Sequence, residues 1–142
     1  MRIQLKRAYE APAARDGRRI LVDRLWPRGV KKETAALHAW LRDLAPSDAL
    51  RQWFHQRPRR WMLFRKRYLK ELTSPAAIAA LEDLYAMVRR GRTVTLVYAS
   101  KDQERNQAVI LKELLEGMRK PPSTSGPLRA ARQQRMRMSI PR

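Results

Sequence analysis

Two short clusters carry most of the side chains able to do chemistry: Asp23-Arg24-Leu25-Trp26-Pro27-Arg28, and Ser100-Lys101-Asp102 with Asn106 four residues later. Each sets one carboxylate beside permanent cations. Asp23 and Asp102 together are candidate catalytic carboxylates, for acid-base work or for a divalent cation held on a phosphate substrate. Each also has an ordinary use. Asp23 suits an ion pair or turn cap at a strand end, and Asp102, or Ser100 with Gln103, suits a cap ahead of a helix. Arg24 and Arg28 have the planar fork that grips a phosphate through two hydrogen bonds, and Lys101 adds a point charge, so these three are the anion-binding candidates. Trp26 would stack a base or plug the core, and Tyr98, Ser100 and Asn106 complete the candidate lining, with Tyr9 as a further contributor.

Other chemistries find less support. The chain has no cysteine, which excludes disulfides, thiol nucleophiles and iron-sulfur ligation. His38 and His55 are its two histidines, and their spacing makes no metal site, so no metal is expected and any cofactor is left open. No Gly-rich phosphate loop, Gly-x-Ser-x-Gly elbow or HExxH helix is present.

The charge balance speaks about partners. With 32 Lys and Arg against 13 Asp and Glu, the chain carries +19, a field that attracts phosphates and nucleic acid. Part of it lies on Arg57, Arg59, Arg60, Arg65, Lys66, Arg67 and Lys70. This is a basic surface suited to phosphate backbones, or simply a solvated helix face. After Met118 the chain has seven basic residues, no acidic ones, and a run of Pro, Ser and Gly. Residues 119–142 are therefore expected to be a disordered basic tail behind one domain over 1–118. The start "MRIQLKRAYE" has no apolar signal core and no segment is long and apolar enough to span a bilayer, so a cytoplasmic protein without membrane insertion is expected.

The elements that must position these clusters follow from periodicity. "IQLK" at 3–6, "RRILVD" at 18–23 and "TVTLVYAS" at 93–100 predict three strands, the last rich in β-branched residues. Helices are predicted over "PSDALRQWFHQ" with a Ser or Asp cap, and over "PRRWMLFRKRYLKEL" with Pro58 in its first turn. Two more are predicted over "SPAAIAALEDLYAMVRRG" ended by Gly91, and over "QERNQAVILKELLEGM". Along "PRRWMLFRKRYLKEL", Trp61, Phe64, Tyr68 and Leu72 form the core stripe, while Arg59, Lys66 and Lys70 share another face. The order implies a small α/β domain of two or three layers, with a short, at least partly parallel sheet of about three strands under several helices. In such sheets ligands collect beyond the carboxyl ends of the strands, where Asp23 and Lys101 both emerge.

"ILVDRLWPRG", "WF" followed by "RPRRWMLFRKRYLKEL", and "VTLVYASKDQERNQAVIL" resemble the YeaO-like family of bacterial proteins, a domain-of-unknown-function family, over about residues 2–116. The resemblance implies a cytoplasmic α/β domain and assigns no activity to any residue. Members of that family carry His-Asp-Pro where this chain has Gln56-Arg57-Pro58, and Asp-Glu-Glu-His-Asn where it has Asp102-Gln103-Glu104-Arg105-Asn106. Two histidines are thus replaced by a neutral amide and a permanent cation, which points toward binding without turnover.

Three functions are open on this reading. The first is a module that binds a nucleotide or nucleic-acid phosphate at the strand ends. The second is an enzyme on a phosphate-containing substrate using Asp23 and Asp102. The third is an interaction protein whose basic tail meets acidic partners.

Overall fold

The computed structural model describes residues 2–122, so the basic segment from residue 123 onward lies outside the described residues. Strand β1 (Arg2–Arg7) runs to a 3-10 turn at Ala14–Asp16 and β2 (Arg18–Leu21). A one-turn helix α1 (Lys32–Ala35), strand β3 (Ala39–Trp40) and a second 3-10 turn at Arg42–Leu44 follow. Helices α2 (Asp48–Gln56), α3 (Trp61–Glu71) and α4 (Pro75–Arg89) lead to β4 (Thr93–Tyr98) and α5 (Gln107–Gly117).

The sheet order is β1-β4-β2-β3, and every pairing is parallel. The three predicted strands are present and a fourth, β3, joins them. Two residues are too few to display an alternating pattern, and β3 holds its place by pairing Ile20 with Ala39 and Leu21 with Trp40. The first two strands do not touch, because β4 lies between them, pairing Leu5 on one side and Ile20 on the other through Leu96.

Alternation along the strands sorts the core into two sides. Ile3, Ile20, Val22, Val94, Leu96 and Tyr98 face one way and pack with α2 to α5. Leu21, Trp40 and Val97 face the other way, where Trp26, Val30 and Leu37 from the β2–β3 connection cover them. The domain is therefore two layers, helices on one face and an irregular connection on the other. α4 carries the heaviest apolar load, with eight buried apolar residues and the buried Glu82, and is capped by Ser74 ahead of Pro75.

Helix starts differ in two places from the pattern, at α3 and at α5, which begins at Gln107 rather than Gln103. Ser47 caps α2 by accepting from Leu50 N–H at 3.1 Å. Pro58, however, sits in the turn between helices, and α3 begins three residues later at Trp61. The predicted stripe holds: Phe64, Tyr68 and Leu72 are buried and Arg59, Lys66 and Lys70 are exposed. The rings of Phe54, Trp61, Phe64 and Tyr68 form a stacked series, with Phe54 and Phe64 centroids 4.3 Å apart. Among the described residues no helix is long and apolar enough to cross a membrane.

Candidate strand-end cleft

β2 and β4 are neighbours and run parallel, so their carboxyl ends open on the same edge of the sheet. Val22 extends the pairing by donating to Val97 C=O at 3.0 Å, and the chain then leaves as Asp23. The two exits are bolted together there. Asp23 Oδ2 accepts from Ala99 N–H at 3.0 Å, and Oδ1 accepts from the Gln107 side-chain amide at 2.5 Å. Asp23 and Ala99, 76 positions apart, thus bring the two sequence clusters together.

Around this junction lies an open cleft of about 620 Å³. The exit of β2 contributes Asp23, Arg24, Trp26 and Arg28, and the exit of β4 contributes Ser100, Lys101, Asp102 and Arg105. Helices α2 and α3 and the turn between them add Arg51, Phe54, His55, Pro58 and Phe64. Five permanent cations therefore face two carboxylates, so the cleft is electropositive. Burial pushes the Asp23 carboxyl up to about 6, against the lowering pull of the Ala99 and Gln107 hydrogen bonds and of Arg51.

The predicted residues divide by how their groups are engaged. Arg28, Lys101 and Ser100 are exposed at the cleft. Arg24 also lines it, yet its Nε and Nη2 donate to the carbonyls of Pro46 and Ala45 at 3.1 and 3.2 Å, so the guanidinium ties the β2 exit to the start of α2. Trp26 is largely a plug: its indole N–H donates to Val30 C=O at 2.7 Å, and its ring meets Trp40 edge-on. Asp102 caps a turn by accepting from the N–H groups of Glu104 and Arg105 at 2.9 Å. The cap of α5 itself is Asn106, which accepts from Val109 N–H.

Asn106 and Tyr98 are buried and do not line the cleft. The alternation of β4 turns Tyr98 toward the helical core, one residue before the chain opens out. Tyr9 is exposed under the Arg7 guanidinium, away from the cleft lining. Nor does the basic surface enter it: Arg59, Arg60, Lys66, Arg67 and Lys70 lie outside, with Arg67 over the Trp53 ring at 4.4 Å.

Arg51, His55, Arg105 and Gln107 also line the cleft, although no motif in the sequence marks them as site residues. Arg51, Phe54 and His55 recur at three- and four-residue steps, the spacing of one helix face, and that was the available signal. His55 reaches the cleft even though the family's histidine stands one position later.

Fold and cleft together define a small parallel α/β domain with a cation-lined cleft at the carboxyl ends of its central strands. The chain belongs to the inactive DUF488-N3 subclade, whose family model matches residues 2–127. Its relatives include the uncharacterized protein Rv3073c of Mycobacterium tuberculosis, 41% identical over 117 residues, covering 82% of this chain and 95% of the relative. The uncharacterized protein YeaO of Escherichia coli is 38% identical over 118 residues, 83% of this chain and 100% of the relative. No solved structure matches the chain.

Proposed function

We propose that this domain is a binding module for an anionic, phosphate-bearing ligand, a nucleotide or a nucleic-acid phosphate, held in the strand-end cleft. The observation that carries this reading is the ratio of charges around one opening: Arg24, Arg28, Arg51, Lys101 and Arg105 against Asp23 and Asp102. Cations gathered in a partly desolvated concavity attract phosphate more strongly than the same cations on a convex surface. Turnover is not part of the proposal. Both carboxylates already accept backbone N–H groups, and the subclade is described as inactive. The enzyme reading, with Asp23 and Asp102 as its carboxylates, has no observation of comparable weight behind it.

The test is a titration with nucleotides and short oligonucleotides over a salt series, using the full chain and the variants Arg28→Ala and Lys101→Ala. Saturable binding that each variant weakens supports the cleft. Binding of every polyanion with a steep salt slope, unchanged in both variants, would transfer the function to the basic surface and to the interaction-protein reading.

A further inference from the structure

The carboxylate that joins the two strand exits, Asp23, is also part of the lining of a cationic cleft. Asp23 lines the cleft and repels any anion there. Its backbone carbonyl accepts from the Trp40 indole N–H at 2.6 Å, and its side chain is held by Ala99 and Gln107. Each carboxylate oxygen has one partner, Ala99 N–H or the Gln107 amide, and so keeps a second acceptor direction. A group that tolerates Asp23 must bring a hydrogen-bond donor.

The lining is also mixed in character. Arg28, Lys101 and Arg105 come from the strand exits, whereas the α2–α3 hairpin presents Phe54, Pro58 and Phe64 beside Arg51 and His55. A ligand that satisfies both kinds of lining carries a flat apolar ring at one end and an anion at the other. At about 620 Å³ the space is in the range of small-molecule sites and is sized for one such unit.

Resting on the phosphate reading above, we propose that the occupant is a nucleoside monophosphate whose base bears an exocyclic amine. Its ring lies against the Phe54 wall, its amine donates to Asp23, and its phosphate meets Arg28 and Lys101. Asp23 is then the residue that sets base preference, and Phe54 the residue that separates nucleotide from sugar phosphate.

The experiment is calorimetric titration of the full chain with adenosine monophosphate, purine riboside monophosphate and ribose 5-phosphate at one moderate salt concentration. The first two differ only in the 6-amine, and the sugar phosphate lacks the base. The expected order is adenosine over purine riboside by about tenfold, the worth of one hydrogen bond to a charged acceptor, with ribose 5-phosphate weakest. Asp23→Asn should erase the preference for the amine and at the same time tighten ribose 5-phosphate, because a repulsive charge is gone. Phe54→Leu should bring the adenosine ligand down toward ribose 5-phosphate and leave the latter unchanged.

Equal binding of all three ligands by the unsubstituted chain overturns the base inference and leaves the phosphate reading standing. An adenosine preference that survives Asp23→Asn overturns the role of Asp23. Absence of binding by all three, with oligonucleotides also unbound, overturns the phosphate reading itself. An affinity for oligonucleotides that climbs with length and ignores both substitutions overturns the monophosphate assignment.

Discussion

Glu71, the last residue of α3, accepts two hydrogen bonds from Ser47, the cap of α2: one from its N–H at 2.8 Å and one from its hydroxyl at 2.6 Å. One carboxylate thereby closes the α2–α3 hairpin, and that hairpin is the aromatic wall of the cleft. Glu71→Ala should lower unfolding stability by about 2 kcal/mol, read as a fall in the denaturant midpoint at constant slope. Glu71→Gln, which keeps one acceptor, should lose less.

Two arginines at the same rim should behave differently when removed. Arg28 is exposed at the cleft, so Arg28→Ala should weaken anion binding and leave the melting temperature within experimental error. Arg24 holds the carbonyls of Ala45 and Pro46, so Arg24→Ala should lower the melting temperature as well as the affinity, by about 1 to 2 kcal/mol in stability. Thermal shift with and without ligand separates the pair. If both variants lost only affinity, Arg24's carbonyl contacts would contribute nothing to folding.

Gly17 and Gly29 both have positive φ, at +63° and +82°, and only one of them is crowded. A methyl on Gly17 would stand 2.1 Å from the carbonyl oxygen of Thr93 at the start of β4, so the loop could not close onto the sheet. Gly17→Ala should cost more than about 3 kcal/mol or prevent folding, while Gly29→Ala should cost about 1 kcal/mol for conformation alone. Circular dichroism melts of the two variants check this.

Asp23 and Asp16 titrate in opposite directions and should write two limbs on the stability-pH curve. Burial lifts Asp23 to about 6, above its unfolded value, so the folded chain binds the extra proton between about pH 4 and 6. Stability should rise as pH falls through that window, and Asp23→Asn should flatten this limb. For Asp16 burial also pushes upward, but hydrogen bonds from Ala13 N–H, Lys6 and Arg19 outweigh it and hold the carboxyl below the ordinary value. Its stabilisation is present above about pH 4 and is lost as pH falls further. Asp16→Asn should remove the acid limb and also cost about 3 kcal/mol near neutrality, since the buried Arg19 loses its carboxylate partner.

Much of this architecture is legible from periodicity, and the exceptions share a cause. β4 declares itself through Thr93-Val94-Thr95-Leu96-Val97-Tyr98, and α4 through its cap, its Pro75 and its closing Gly91. Ala39-Trp40 becomes a strand because β2 offers it an edge, a fact located in another part of the chain. The exits at Asp23 and Ser100 could be paired from the rule about parallel strands. Arg51, His55 and Gln107 belong to the site through the way helices are set down on the sheet, and that setting depends on contacts such as Ser47 with Glu71. Arg24 and Trp26 illustrate the same limit from the other side. Their types suit ligands, yet nearby carbonyls engage them, and carbonyl positions are not written in side-chain spacing.

The two rims of the sheet bear on how the protein behaves when crowded. β3 ends one rim after two residues, too short a template to recruit a neighbouring strand. β1 forms the other, and Arg2 and Arg7 set like charges at its two ends, so two molecules meeting there repel. Both open edges of a parallel sheet are thus closed to further strands, one by brevity and one by charge, and concentrated solutions should resist fibrillation. Polyanions that neutralise the β1 rim would remove half of that protection.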